Sequence, residues 1–356
     1  MYKKTGLFCF YILKLNKEEE KMKRNNHYNS QMYLKAWECE KNKTMVYDLL
    51  VSDERVPLWS KKSIENLCSI DSLFVRLKNQ HEIDDIENWF EHRFETPAKL
   101  PLEKAISGAK INWWEMHKLV DFMACHIVRT PVFIEKVLKK GQNEIKEIFE
   151  KECKDIQNIN KDEINKKIKA MDNNSSMFPF KMERVKENKE NELWKIETII
   201  GKQFYLWIMK WLLENTAEEL HKHNWTILTV HPYIKIPTSD DPVICLNYYS
   251  DREYDFGGGW GRKNGNIIFP ISPNRILYTQ IGTTYNKNTN LDYETSLRLK
   301  KIIIEHAHRK IISSYEDQEV TFIRKRYVNR DMFNYEKNIW KNFQESYLNT
   351  ESKYIN

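Results

Sequence analysis

Apolar positions along this chain follow two different periods. Over residues 84–107 and again over 112–140 they recur every three or four residues, the spacing of a helix with one buried face. Residues 192–223 read as a further helix, richer in aromatics, with Trp194, Phe204, Trp207 and Trp211. Prolines 97 and 101 are expected to kink or split the first of these helices. Beyond residue 224 the period shortens. Residues 225–230, 243–248, 266–269 and 275–281 are short β-branched and aromatic runs set between turn formers, which predicts strands.

The remaining segments are shorter. Residues 30–39 predict a small helix with Ser30 as its N-cap, and strand-like passages fall at 44–50 and 65–77. A helix over 293–313, a short strand near 320–324 and a last helix over 332–347 complete the chain. Helices, then strands, then helices give an α+β class rather than alternating βαβ. The expected fold is mostly helical, with a small antiparallel sheet built from the C-terminal half. One domain over 22–356 is expected, carrying a solvated helical arm at 141–192 that is dominated by Lys, Glu and Asn.

Composition narrows the class. Hydrophobic residues make up 41% and aromatics 13% of 356 residues, enough for a sizeable core, which excludes a disordered chain. The formal net charge of +6 permits a nucleic-acid partner without demanding one. The six cysteines lie far apart with no CxxC pair, so reduced thiols and a cytoplasmic setting are expected, not a disulfide framework. Residues 6–13, GLFCFYIL, form an apolar run far short of the roughly 20 residues that span a bilayer. Residues 1–21 read as a leader or as the product of a misassigned start before Met22, with no integral membrane insertion.

Candidate chemistry lies in separated stretches. NNHYNSQMYLKAW (25–37) places His27 just before a helix start and Gln31 four residues on. His27 there is either an acid–base group or a packed imidazole bonded to a carbonyl. HIVRTP (126–131) sets His126 and Arg129 on one helical face, and a buried guanidinium needs an anionic partner, either a phosphate or a structural carboxylate. In WFEHRFE, Glu87, Glu91 and Glu95 recur at i, i+4 and i+8, a carboxylate stripe that would hold a divalent metal or simply face water. PTSDDPV places Ser239, Asp240 and Asp241 at the mouth of a strand, where turn chemistry and catalytic carboxylates are alternatives. GGGWGRKNG (257–265) reads as a mobile hairpin loop, since no Gly-Lys-Ser/Thr closes it as a phosphate cradle.

HYNSQMYL, EHRFE, HIVRTP, TSDDPV and IIFPISPNRIL, in this order, resemble the bacterial family catalogued as domain of unknown function 4238. That family opens with His-Tyr-x-Pro-Gln-x-Tyr-Leu and continues with a glutamate-bearing helix. Arg-Thr-Pro, Ser-Asp-x-Pro and Phe-Pro-Leu-Ser-Pro segments follow. Ser30 stands where the family usually has proline, and Ile271 where it usually has leucine. The resemblance implies a site drawn from His27, Gln31, Glu91 or Glu95, Arg129, Ser239 and Asp240. It implies no settled activity.

Two functional readings follow. In the first the chain is a nucleic-acid or nucleotide phosphodiester hydrolase, a toxin-like or phage-defence effector acting on RNA or DNA. His27, Arg129, Asp240 and Glu91 are then catalytic, Gln31, Ser239, Glu95 and His126 bind substrate, and a divalent metal is an allowed cofactor. No GxSxG, Cys-His or HExxH pattern offers another hydrolytic centre. In the second reading the same residues serve a non-enzymatic ligand-binding or sensor module, with a homo-oligomer as an allowed assembly. Convergence on one open cleft favours the enzyme. An aromatic groove or a basic face, with those residues buried and mutually satisfied, favours the module.

Overall fold

A computed structural model of the protein describes residues 25–78, 81–141, 143, 180–186, 192–198, 200–284 and 289–351. The leader expected at 1–21 and most of the arm expected at 141–192 lie outside the described residues.

The centre of the fold is a six-stranded sheet. Its order is Glu253–Asp255, Ile244–Ser250, Asn266–Ser272, Arg275–Gln280, Thr226–Thr229 and Thr289–Asn290, antiparallel except for the last pair. Both faces are covered. Ile267, Phe269, Ile271 and Leu277 point into the main core, and Ile268 and Ile276 into a second core closed by Ile302 and Ile303 of helix Tyr293–His306. Period-two alternation therefore vanishes, and all seven residues of NIIFPIS are buried. A four-stranded sheet joins remote segments in the order Thr238–Ser239, Lys310–Ser313, Lys43–Asp48 and Ser60–Ser63.

The class is α+β, but the expectation of a mostly helical chain with a small sheet is overturned. One sheet has six strands, a second has four, and two-stranded ladders lie outside both. The N-terminal half contributes strands that hydropathy could not announce: Ser60–Ser63 is SKKS, wholly polar, and Asn25–His27 is three residues long. Such strands are specified by their partners rather than by their own pattern.

Several local expectations change too. Residues 192–198 form a strand paired with 180–186, so the helix begins only at Lys202 and runs to Asn215. Helix Trp113–Arg129, started by an Asn112–Glu115 capping box, ends where Pro131 forces Thr130 to extended backbone. Residues 131–141 resume the helix. The 293–313 segment splits into helix Tyr293–His306 and strand Lys310–Ser313, and residues 318–323 are helical rather than extended.

Candidate functional site

The stretch 25–37 lies at the meeting of the core and both large sheets. Strand Asn25–His27 pairs with Ser69–Asp71, aligning His27 with Ser69. Helix Gln31–Leu34 then carries Tyr33 and Leu34 fully inside. The Tyr33 hydroxyl donates to Pro270 O at 2.8 Å and lies 2.5 Å from Thr238 Oγ1, while Trp37 Nε1 donates to Ile236 O at 2.9 Å. The aromatics thus bind the motif to both sheets.

Ser30 occupies the N-cap position without capping. Its hydroxyl donates to Glu95 Oε2 at 3.0 Å, and its N–H donates to His126 Nε2 at 3.2 Å. A proline here would keep the observed φ of −58° but lack both donors. The departure from the family pattern therefore adds two bonds that proline cannot make.

Behind Ser30 the polar set is closed. Arg129 has no exposed surface. Its NH1 donates to Glu95 Oε1 at 2.5 Å, its NH2 donates to the His27 carbonyl, and Glu87 Oε2 lies 3.8 Å away. The guanidinium also faces the Phe90 ring at 4.6 Å and the Phe74 ring at 5.4 Å. Burial opposes its charge, but Cys125, Glu95 and Glu87 outweigh burial and hold its pKa above the ordinary value. Burial likewise opposes the Glu95 charge, and Arg129 reverses the balance, leaving Glu95 below the usual carboxylate range. His126 is buried on the same helix and donates Nδ1–H to Phe122 O at 2.9 Å, so Nε2 is free to accept from Ser30. Burial and then Arg129 push its pKa down to about 4, leaving it neutral at pH 7.

Glu91 does not join this set. Residues 91–95 form a π-helical turn between helices Asp85–Phe90 and Thr96–Ser107. The wider turn shifts the phase of the stripe: Glu87 and Glu95 face Arg129, whereas Glu91 is exposed to solvent.

The Ser239–Asp240 motif reaches the same region through backbone. Asn29 Nδ2 donates to Ser239 O at 3.0 Å, and Ser239 Oγ donates to Asp241 O at 2.8 Å. Asp240 is buried, and its carboxylate accepts from the N–H groups of His308 and Arg309 at 2.9–3.1 Å. Next to it, burial and Asp240 raise the Asp241 pKa to about 7. His306 contacts Asp241 twice: its Nδ1–H donates to the Asp241 carbonyl at 3.0 Å, and its Nε2 lies 3.7 Å from Oδ2.

What remains open is a short polar edge. His27 is half-buried; its Nε2–H donates to Glu65 O at 2.8 Å, and the Gln31 carboxamide lies 3.3 Å from the same nitrogen. Nδ1 is then a lone-pair acceptor, and no described residue hydrogen-bonds to it. Burial lowers the His27 pKa, partly offset by the Glu65 carbonyl, so the ring is neutral at pH 7.

The motif residues thus separate into an internally bonded frame, in which Ser30, His126, Arg129, Ser239 and Asp240 are buried and Glu95 is partly exposed, and a partly exposed pair, His27 with Gln31. Sequence reasoning missed Asn26, Asn29 and the Glu65 carbonyl. Asn26 accepts from Phe74 N at 2.8 Å, and a signal was available: asparagines flanking His27 in an otherwise aromatic stretch. Among the described residues no group of three or more His, Cys, Asp or Glu is placed to hold a metal ion. The glycine loop is anchored: Gly258 N–H donates to Cys245 O at 3.1 Å, and Trp260 packs on the main core.

Among the described residues no helix is long and apolar enough to cross a membrane. No curated protein and no solved structure matches the chain. A family described as a protein of unknown function (DUF4238) matches residues 25–317, which span every motif residue above. The chain belongs to this family.

Proposed function

We propose that, within this family, the chain acts as a ligand-binding module whose contact edge is His27 with Gln31, and not as a phosphodiester hydrolase. The observation that carries this reading is the division of partners. Arg129, His126 and Asp240 are buried and bonded internally, whereas His27 Nδ1 has no partner among the described residues. A phosphate clamp needs guanidinium donors turned toward an opening. Arg129 turns them to Glu95 and to the His27 carbonyl. A neutral imidazole beside a carboxamide suits an uncharged ligand edge of hydroxyl, amide or nucleobase type better than a phosphate.

The hydrolase remains the second reading, supported by one feature. A half-buried imidazole with a lowered pKa and an available nitrogen is also what a general base requires. One experiment separates the two. Purified wild type and His27→Ala are incubated with RNA, single-stranded DNA and duplex DNA, with and without magnesium. In parallel, thermal melting is followed with a deproteinised small-molecule extract of a bacterial host. We expect intact polymers throughout, and an upward melting shift that is lost in His27→Ala and Gln31→Ala. Cleavage by wild type but not by His27→Ala overturns the module reading.

A further inference from the structure

Among the described residues the strand that carries His27 has one ladder partner, Ser69–Asp71, and that partner is held in an unusual way. The residues bracketing it, Cys68 and Ser72, both adopt left-handed backbone, with φ of 54° and 55°. Side chains other than glycine, asparagine and aspartate rarely sit there, and they stay only where the surroundings over-determine them.

The surroundings do so here. Successive carbonyls of the segment each receive a donor from a side chain remote in sequence. Gln344 Nε2 donates to Asp71 O at 2.5 Å, Lys202 Nζ to Ser72 O, and the Tyr205 hydroxyl to Leu73 O at 2.5 Å. Gln203 Nε2 donates to Leu77 O at 2.9 Å. Lys202 also donates to Gln344 Oε1 at 3.2 Å, tying two of these donors together. All four donor residues are buried. Burying an ammonium is costly unless its donors are used, so Lys202 is an expensive way to fill core space and an effective way to fix a carbonyl. Gln344 belongs to helix Arg330–Glu351, outside the family-matched residues 25–317.

We infer that Lys202 and Gln344 are positioning residues for His27, fixing the Ser69–Ser72 backbone against which the His27 strand is aligned. The C-terminal helix thereby reaches the His27 edge through one buried glutamine. The inference rests on His27 being the contact group proposed above, but its test reads the imidazole itself and does not require a ligand.

The test follows the His27 ring by NMR pH titration in the full chain, together with hydrogen exchange of the Tyr28 amide, which donates to Cys68 O at 2.9 Å. The variants are Gln344→Ala and Lys202→Met. Asn338→Ala, exposed on the same helix, is the control. Burial is the main cause that holds the His27 pKa below 6.5. Loosening the strand therefore moves the titration up toward that value in both variants, and Tyr28 protection falls about tenfold, while Asn338→Ala leaves both unchanged. If Lys202→Met fails to fold, Gln344→Ala decides alone. An unmoved His27 titration overturns the inference, and so does a loss of protection spread evenly over the whole chain. A ligand that binds without touching His27 would sink the functional reading and leave this result standing.

Discussion

Glu95→Gln removes a charge from beside a guanidinium with no access to water, and its cost follows from the geometry. At an effective dielectric of about 20, unit charges at the 2.5 Å of Arg129–Glu95 attract by roughly 6–7 kcal/mol, and at the 3.8 Å of Arg129–Glu87 by roughly 4 kcal/mol. These are gross terms, opposed by desolvation. Removing one partner of a buried pair costs about 3–5 kcal/mol net. Glu87 still faces Arg129 in the variant, and the new carboxamide oxygen accepts from NH1, so the lower end applies. We expect a loss of about 3 kcal/mol in urea unfolding, or about 6 °C in Tm at roughly 2 °C per kcal/mol for a chain of this size. The pH dependence gives a second check. The folded Glu95 pKa lies below its ordinary 4.5, so the pair stabilises above that pH and its contribution is lost as pH falls through the folded value. The gap between wild type and Glu95→Gln should be flat at neutral pH and close in acid. A loss under about 0.5 kcal/mol at pH 7, the size of an ordinary surface substitution, or a gap that widens in acid, would refute a frame in which Glu95 holds the buried Arg129.

Further expectations concern other parts of the frame. His126 falls from 6.5 unfolded to about 4 folded, so its contribution is present above pH 6.5 and is lost as pH drops through that window, by about 3 kcal/mol in all. His126→Gln should flatten the stability–pH curve between those values, only in part because His306 is shifted to the same degree; an unchanged slope would count against the buried neutral tautomer. Asp241 rises from 3.8 to about 7, so its burial destabilises increasingly as pH climbs from 3.8 to 7. Asp241→Asn should therefore unfold at higher urea than wild type at pH 8, with no advantage below pH 4. Gly258→Ala would bring a methyl within 2.7 Å of the Cys245 carbonyl carbon and 2.8 Å of its oxygen, both backbone atoms. It should cost about 2 kcal/mol or more by the same unfolding assay, whereas Gly259→Ala, with nothing near its added carbon, should be close to neutral.

How much of this was legible in the sequence depended on whether a segment's own residues or its partners decide its structure. Residues 266–269 were plain because burial on both faces leaves the apolar run IIF, although the strand runs on through Pro270 to Ser272. Helix Trp113–Arg129 was plain because one apolar face repeats along it. Residues 192–198 were misread because Leu193 and Ile196 stand three apart, which suits a helix as well as a strand. SKKS at 60–63 gave no hydropathic signal at all.

The site divides in the same way. Residue types and spacing marked His27, Arg129 and Asp240 as separate candidates, and it was the family resemblance that joined them with Gln31 into one set. Spacing could not say that Arg129 faces inward or that Asp240 is taken up by two backbone amides. Nor could it foresee the π-turn that separates Glu91 from Glu95, since the i, i+4, i+8 stripe presumes an unbroken α-helix. Ser30 looked like a plain cap and is instead the link between Glu95 and His126.

The most direct test of an open His27 edge on a closed frame is carbethoxylation of the native protein by diethyl pyrocarbonate, mapped by mass spectrometry. The reagent needs an accessible, unprotonated ring nitrogen. We expect His27 to react at pH 7 while His126 stays unmodified, and a deproteinised bacterial extract to protect His27 while sparing exposed His81. A His126 that reacts as fast as His27, or a His27 that remains inert in the folded chain, would contradict the division between frame and edge.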